Sequence, residues 1–135
     1  MKIKVIKFDN YKAPDRAHYN DSGADCFAAN DITIPAHSCV KVPTGMGVEL
    51  PDGYDITIQS KSGLSTKGLI CANAIVDSGY RGQIHALVVN VSDLPYTFKK
   101  GEKVGQLVCR PIIYPEFVEV LGEERGDAGF GSTGK

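Results

Sequence analysis

Four segments combine residue types that can handle a phosphate or a nucleobase. Residues 125–134 offer a permanent cation in Arg125, an aromatic ring in Phe130 and hydroxyls in Ser132 and Thr133. The glycines between them, Gly131 included, let backbone N–H groups approach phosphate oxygens. The run matches G-x-G-x-x-G, but a dinucleotide loop needs a strand before it and a helix after it, and only Lys135 follows. A disordered terminus is the alternative for so glycine-rich a stretch. Residues 73–82 read as a tight hairpin. Asp77 follows the apolar pair Ile75-Val76, which puts its carboxylate at the edge of a buried region, where it can hold and deprotonate a water. Tyr80 is placed to pack against a sugar ring, and a plain turn is the alternative there. Residues 60–68 carry Lys61, Lys67 and several hydroxyls, as an anion-binding loop or a solvated turn does; P-loop spacing is absent. Residues 18–26 carry Asp25, a turn residue or a metal contact.

The elements that must hold these groups are strands. No window sustains a 3.6-residue apolar period, whereas residues 54–60 and 83–92 alternate with period two. In the first, Tyr54, Ile56 and Ile58 share one face. The second is apolar on both faces, which predicts a place inside a sandwich or barrel. Further strands are expected at 2–8, 31–35, 39–50, 69–76 and 104–113, with one helical turn over 62–67 that Ser62 could cap. Turns such as Pro51-Asp52-Gly53 and Lys100-Gly101 separate them. The pattern predicts an all-β, jelly-roll-like antiparallel sandwich or barrel over 1–121, followed by a flexible glycine-rich flap over 122–135.

Composition narrows the function classes. The chain has 135 residues, 42% hydrophobic and 23% charged, with a formal net charge of -1. It lacks the basic excess of a general nucleic-acid binder, and the charged N-terminus Met1-Lys2-Ile3-Lys4 resembles neither a signal peptide nor a membrane span. A cytoplasmic protein is expected, or one of host cytoplasm if virus-encoded. Cys26, Cys39, Cys71 and Cys109 are read as reduced thiols in small apolar positions, and no histidine spacing suggests a transition metal.

Taken in order, the segments resemble the five motifs of the homotrimeric dUTP pyrophosphatases, the dUTPases. Ser22-Gly23-Ala24-Asp25-Cys26 stands for A-G-x-D-L, Lys61-Ser62-Gly63-Leu64 for R-S-G-L, and Val76-Asp77-Ser78-Gly79-Tyr80-Arg81-Gly82 for the motif built around I-D-x-x-Y-R-G. Residues 101–108, with Gln106, stand for G-x-x-x-x-Q-L-V, and residues 125–134 for the glycine-rich fifth motif. The resemblance implies a homotrimer with active sites shared between subunits, and Mg2+-assisted attack of water on the α-phosphorus of dUTP, giving dUMP and pyrophosphate. It implies that Asp77 activates the water, Gln106 positions it and Ser62 stabilises charge on the leaving group. Asp25 is implied to hold hydrated Mg2+ through water. Lys61, Gly63, Asn73, Tyr80, Arg125, Phe130, Gly131, Ser132 and Thr133 are implied to bind substrate. The implied role is limiting uracil incorporation into DNA while supplying dUMP for dTMP synthesis.

Three positions depart from the family pattern. Lys61 replaces a bidentate arginine with a point charge. Cys71 and Ala74 stand where an asparagine and a glycine are usual, and Ala128 replaces a flap glycine. Two rival readings differ in class. A dCTP deaminase of the same fold needs a glutamate in the strand after the hairpin, and 83–91 contains none. A non-catalytic nucleotide- or protein-binding module predicts no turnover at all. A regulatory protein partner is not legible in the strand pattern.

Overall fold

The computed structural model describes residues 1–121. The tail, with Arg125, Phe130, Gly131, Ser132 and Thr133, lies outside the described residues. The strands are β1 (Lys4–Lys7), β2 (Ala24–Phe27), β3 (Ile32–Ile34), β4 (Ser38–Pro43), β5 (Met46–Glu49), β6 (Tyr54–Gln59), β7 (Leu69–Cys71), β8 (Ile75–Val76), β9 (His85–Asn90), β10 (Tyr96–Phe98) and β11 (Lys103–Pro111). One helical turn, α1 (Ser62–Ser65), follows β6. A four-stranded sheet runs β2-β11-β6-β8 and a three-stranded sheet β4-β9-β7, with two-stranded ribbons β1-β5 and β3-β10. Every pairing is antiparallel. The all-β, jelly-roll-like expectation stands.

Alternation in the sequence becomes alternation in burial. In β6, Ile56 and Ile58 enter the core while Asp55, Thr57 and Gln59 stay half-buried on the opposite face. In β9, Ala86 and Val88 are buried, but the second apolar face, Leu87 and Val89, is only half covered and Val91 is exposed. Burial on both faces is therefore not achieved within one chain. The core joins Ile34, Val42, Ile58, Ile84, Val88, Phe98 and Val104 across the sheets.

Five expectations change. The run 39–50 is two strands, because Gly45 turns the chain at φ +74°, where a Cβ would sit 3.0 Å from the Asp9 carbonyl oxygen. Thr44 seals that corner by donating its hydroxyl to the Ile84 carbonyl. Likewise 69–76 is split, with β7 joining β9 and β8 crossing to β6. Strands β2 and β10 lie where the pattern left connections. Ser62 does not cap α1; Lys61 is the N-cap residue, in extended conformation, and no side chain caps the turn. All four cysteines are free, and Cys39 and Cys109 are exposed rather than packed. Burial pushes Cys26 up to about 12 and Cys71 up to about 11, so neither is a nucleophile at neutral pH.

Asn90 is a fully enclosed polar residue. The Asn90 side chain donates to the Ile34 and Leu94 carbonyls and accepts from the Ser92 N–H and hydroxyl. The Asn90-Val91-Ser92 segment is thus a hydrogen-bonded turn. Phe98, 1% exposed, meets Tyr96 edge to face with ring centroids 4.9 Å apart. Phe98→Ala should cost about 3–5 kcal/mol in urea unfolding at fixed protein concentration; a loss under about 1 kcal/mol would show that the core is not closed there.

Candidate active site

Strand β2 places Asp25, 7% exposed, at the edge of the four-stranded sheet, level with Gln106 on β11. Its carboxylate meets Lys61 Nζ at 2.7 Å and Lys103 Nζ at 3.3 Å. Backbone hydrogen bonds from Asp25 to Asp15 and back pin the strand from its open side. Lys103 lies three residues before Gln106, and strict alternation would put the two on opposite faces. A bulge between Lys103 and Gly105 inserts one residue, so Lys103 pairs with Phe27 and shares the face of Asp25.

Gln106 is held from two sides. Its Nε2 donates to the Ser60 carbonyl at 3.0 Å, and its Oε1 lies against Gly23, where a Cβ would come within 2.2 Å. Gly23 is therefore a glycine because the carboxamide occupies the space of a side chain. Asp15, Asp21, Ser22, Gly23, Asp25, Lys61 and Gln106 line a cavity of about 260 Å³. Lys61 also faces an adjoining cavity with Gly63, Lys12, Lys67 and Lys103. Ser62 stands exposed in the first turn after Lys61.

The hairpin groups form a second cluster. Tyr80 donates its hydroxyl to the Gln83 carbonyl at 2.7 Å, and its ring lies so close over Gly82 that a Cβ there would meet the hydroxyl at 2.5 Å. With Ala74, Val76, Gln83 and His85 it lines a cavity of about 230 Å³. Asn73 and Asp77 are exposed. Asp77 is exposed among the described residues, so the expected partial desolvation is not found there, and a side-chain hydrogen bond from Ser78 ties the turn to Asp52.

The two clusters sit at opposite edges of one sheet. Asp25 is level with Gln59 through Gln106, and Val76 is level with Ile56, so Asp77 follows at the level of Asp55. Three strand spacings of about 4.8 Å and four residue steps of about 3.4 Å separate Asp25 from Asp77 by roughly 20 Å. Two spacings and the same offset put Gln106 roughly 17 Å from Asp77. The structure brings Asp25, Lys61 and Gln106 together and leaves Asp77, Tyr80 and Asn73 apart from them. Sequence reasoning missed Lys103, Ser60 and the steric role of Gly23. Only the bulge reveals the first, and only the tertiary hydrogen bond the second.

Metal chemistry is constrained by the donor set. Among the described residues no group of three or more His, Cys, Asp or Glu could hold a metal ion. One buried carboxylate beside Asp15 and Asp21 suits a hydrated Mg2+ whose other ligands are waters and phosphate oxygens, since Mg2+ retains its water shell and takes few protein ligands.

An antiparallel β fold whose sheet edge gathers a carboxylate, two ammonium groups and a clamped carboxamide presents groups of the kind that bind polyanionic ligands. A sequence model of the dUTPase family matches residues 9–134. The deoxyuridine 5'-triphosphate nucleotidohydrolase of Finegoldia magna is 39% identical, with 99% of each chain covered. That of Clostridium tetani is also 39% identical, over 100% of this chain and 97% of the relative. Among solved structures, the dUTPase of phage phi11 of S. aureus, in a structure concerned with the coordination of a structural Mg(II) ion, superimposes with a TM-score of 0.82. It is 26% identical, and 89% of this chain and 97% of that one are covered. The chain belongs to the dUTPase family.

Burial raises the Asp25 carboxyl, but hydrogen bonds and charge from Lys61 and Lys103 outweigh it and hold the group below its ordinary value of 3.8. Its contribution to stability is complete above 3.8 and drains away as pH falls through the lower folded value. Unfolding midpoints in urea should therefore fall with acidification below that range, and Asp25→Asn should flatten this part of the profile. An unchanged slope in the variant would mean the ion pairs do not stabilise the fold.

Proposed function

We propose that the protein hydrolyses dUTP to dUMP and pyrophosphate by attack of water on the α-phosphorus, with Mg2+ assisting. The observation that carries this reading is the cavity where Asp25, Lys61 and Gln106 converge, each at a position the family motifs specify. The biological role would be to limit uracil incorporation into DNA and to supply dUMP for dTMP synthesis. The cytoplasm, or host cytoplasm for a virus-encoded chain, is its proposed site of action, and no described helix is long and apolar enough to cross a membrane.

In this mechanism Asp77 takes the proton of the attacking water, and Gln106 turns its free Oε1 toward that water. Lys61, Gly63 and Ser62 receive the phosphates, and Ser62 stabilises charge on the departing pyrophosphate. Mg2+ on the triphosphate supplies neutralisation of that charge, and Asp25 is the carboxylate placed to hold its water shell. Tyr80, fixed by the Gln83 carbonyl, packs under deoxyribose and leaves no space for a 2′-hydroxyl. The 71–76 backbone and Asn73 read the uracil edge, with crowding at C5 excluding thymine. Arg125, Phe130, Gly131, Ser132 and Thr133, within a flap over 122–135, close over the base and phosphates.

Asp77 and Gln106 must touch one water, which a gap of roughly 17 Å within a chain forbids. The site is therefore proposed to form between chains, in a homotrimer with shared active sites. Three features support association. Residues beyond β11 expose Ile113, Phe117, Val118 and Leu121, each at least 68% exposed. The second face of β9 is half-covered. Asp55, level with Asp77, has a buried Oδ1 with no hydrogen-bond partner among the described residues.

Pyrophosphate release from dUTP should require Mg2+ and exceed that from dTTP, dCTP and UTP; equal rates on all four would remove the specificity claim. Asp77→Asn should lower kcat at least 100-fold while nucleotide still binds, as for a group acting in the transition state. Retained turnover would reassign the base. Release of dUTP from dCTP would favour the deaminase reading instead.

A further inference from the structure

We propose that Ser60, outside the family motifs matched above, is a positioning residue that sets the aim of Gln106; the inference rests on the hydrolytic reading. Ser60 joins the end of β6 to the Lys61 turn and is bonded at both of its polar ends. Its carbonyl accepts from Gln106 Nε2 at 3.0 Å, and its hydroxyl accepts from the Cys71 N–H at 2.9 Å. Strand β7 has β9 on one side only, so the Cys71 N–H points from an open sheet edge, and the Ser60 hydroxyl is its partner. One hydroxyl thereby ties the three-stranded sheet to the end of the four-stranded one and fixes the peptide that holds Gln106.

The carboxamide cannot settle elsewhere. Gly23 closes its other side, and with Nε2 committed to Ser60 the remaining acceptor, Oε1, is the atom left to face water. A Ser60→Ala chain keeps the carbonyl but frees the Ser60 peptide to turn and leaves the Cys71 N–H unpaired in a part-buried place. Gln106 then loses its direction, not its presence. Misplacing a water-orienting group acts on the chemical step, so kcat falls while KM holds. Cys71 also opens the 71–76 hairpin, so the same hydroxyl fixes where the base-reading backbone begins.

The test is a double-mutant cycle on the full chain with dUTP and Mg2+. Ser60→Ala should lower kcat on the order of tenfold with KM within about twofold, and Ser60→Thr, which keeps the hydroxyl, should restore it. Added to Gln106→Ala, the Ser60→Ala change should cost no more than about a further twofold, because both act through one group. A full second loss in the double variant, or an unchanged kcat in Ser60→Ala, overturns the proposal. The side-chain amide resonances of Gln106 give a readout independent of turnover. They should shift and exchange faster in Ser60→Ala but not in Ser60→Thr, and indifference to both variants overturns it. A wild-type chain that turns over no dUTP defeats the hydrolytic reading alone, because those resonances still report whether Ser60 holds Gln106.

Discussion

The spacing of an antiparallel sheet governs what this chain can do alone. Strands β2 and β8 are the two edges of one four-stranded sheet, held apart by β11 and β6. Asp25 is on one edge and Asp77 leaves the other, and backbone hydrogen bonding fixes roughly 20 Å between them. No rotamer closes that distance. The proposed catalytic base and the proposed water-positioning amide can meet only if a second copy brings its β8 edge to the β2 edge of the first. The half-covered face of β9, the exposed apolar residues after β11 and the Asp55 oxygen, unpartnered among the described residues, support the proposed association.

The β2 edge is suited to anions by a local arrangement of charge. Burial raises the Asp25 carboxyl, and Lys61 and Lys103 outweigh it and favour the charged form. The three groups hold one another in place in the absence of ligand. A triphosphate offers the lysines a stronger partner, while a hydrated cation carried on the phosphates offers Asp25 one. On the proposed reading, substrate and Mg2+ would replace contacts that already fix these side chains, so little rotamer entropy would remain to be lost. Lys61 is less demanding in geometry than the arginine usual in the family, which suits a side chain serving Asp25 and a phosphate in turn.

The fold was legible where alternation was long enough to see. Strands β6 and β9 follow from residues 54–60 and 83–92; one face of each is buried as the period assigns, but the second apolar face of β9 is only half covered. The break at Gly45 was not legible, because it depends on the Asp9 carbonyl, which packs there only in the folded chain. Strand β2 was hidden by Asp25 at its centre, a polar residue stabilised by lysines distant in sequence. Lys103 was hidden by the bulge, since period-two reasoning points it away from the site it joins. The motifs picked out Asp25, Lys61 and Gln106, and the fold places the three around one cavity. The apolar pair Ile75-Val76 also suggested a partly buried Asp77, whereas the residue is exposed in the single chain, as the proposed shared site would require.

The claim that the site is built from different chains is tested most directly by mixing two inactive variants. Asp77→Asn and Gln106→Ala chains, co-refolded in equal amounts, should regain about a quarter of wild-type dUTP turnover, because that share of random chain pairings in a symmetric oligomer carries both intact groups. Activity no higher than that of the separate variants, from mixed oligomers shown to have formed, would place Asp77 and Gln106 in the same chain's site and contradict the account.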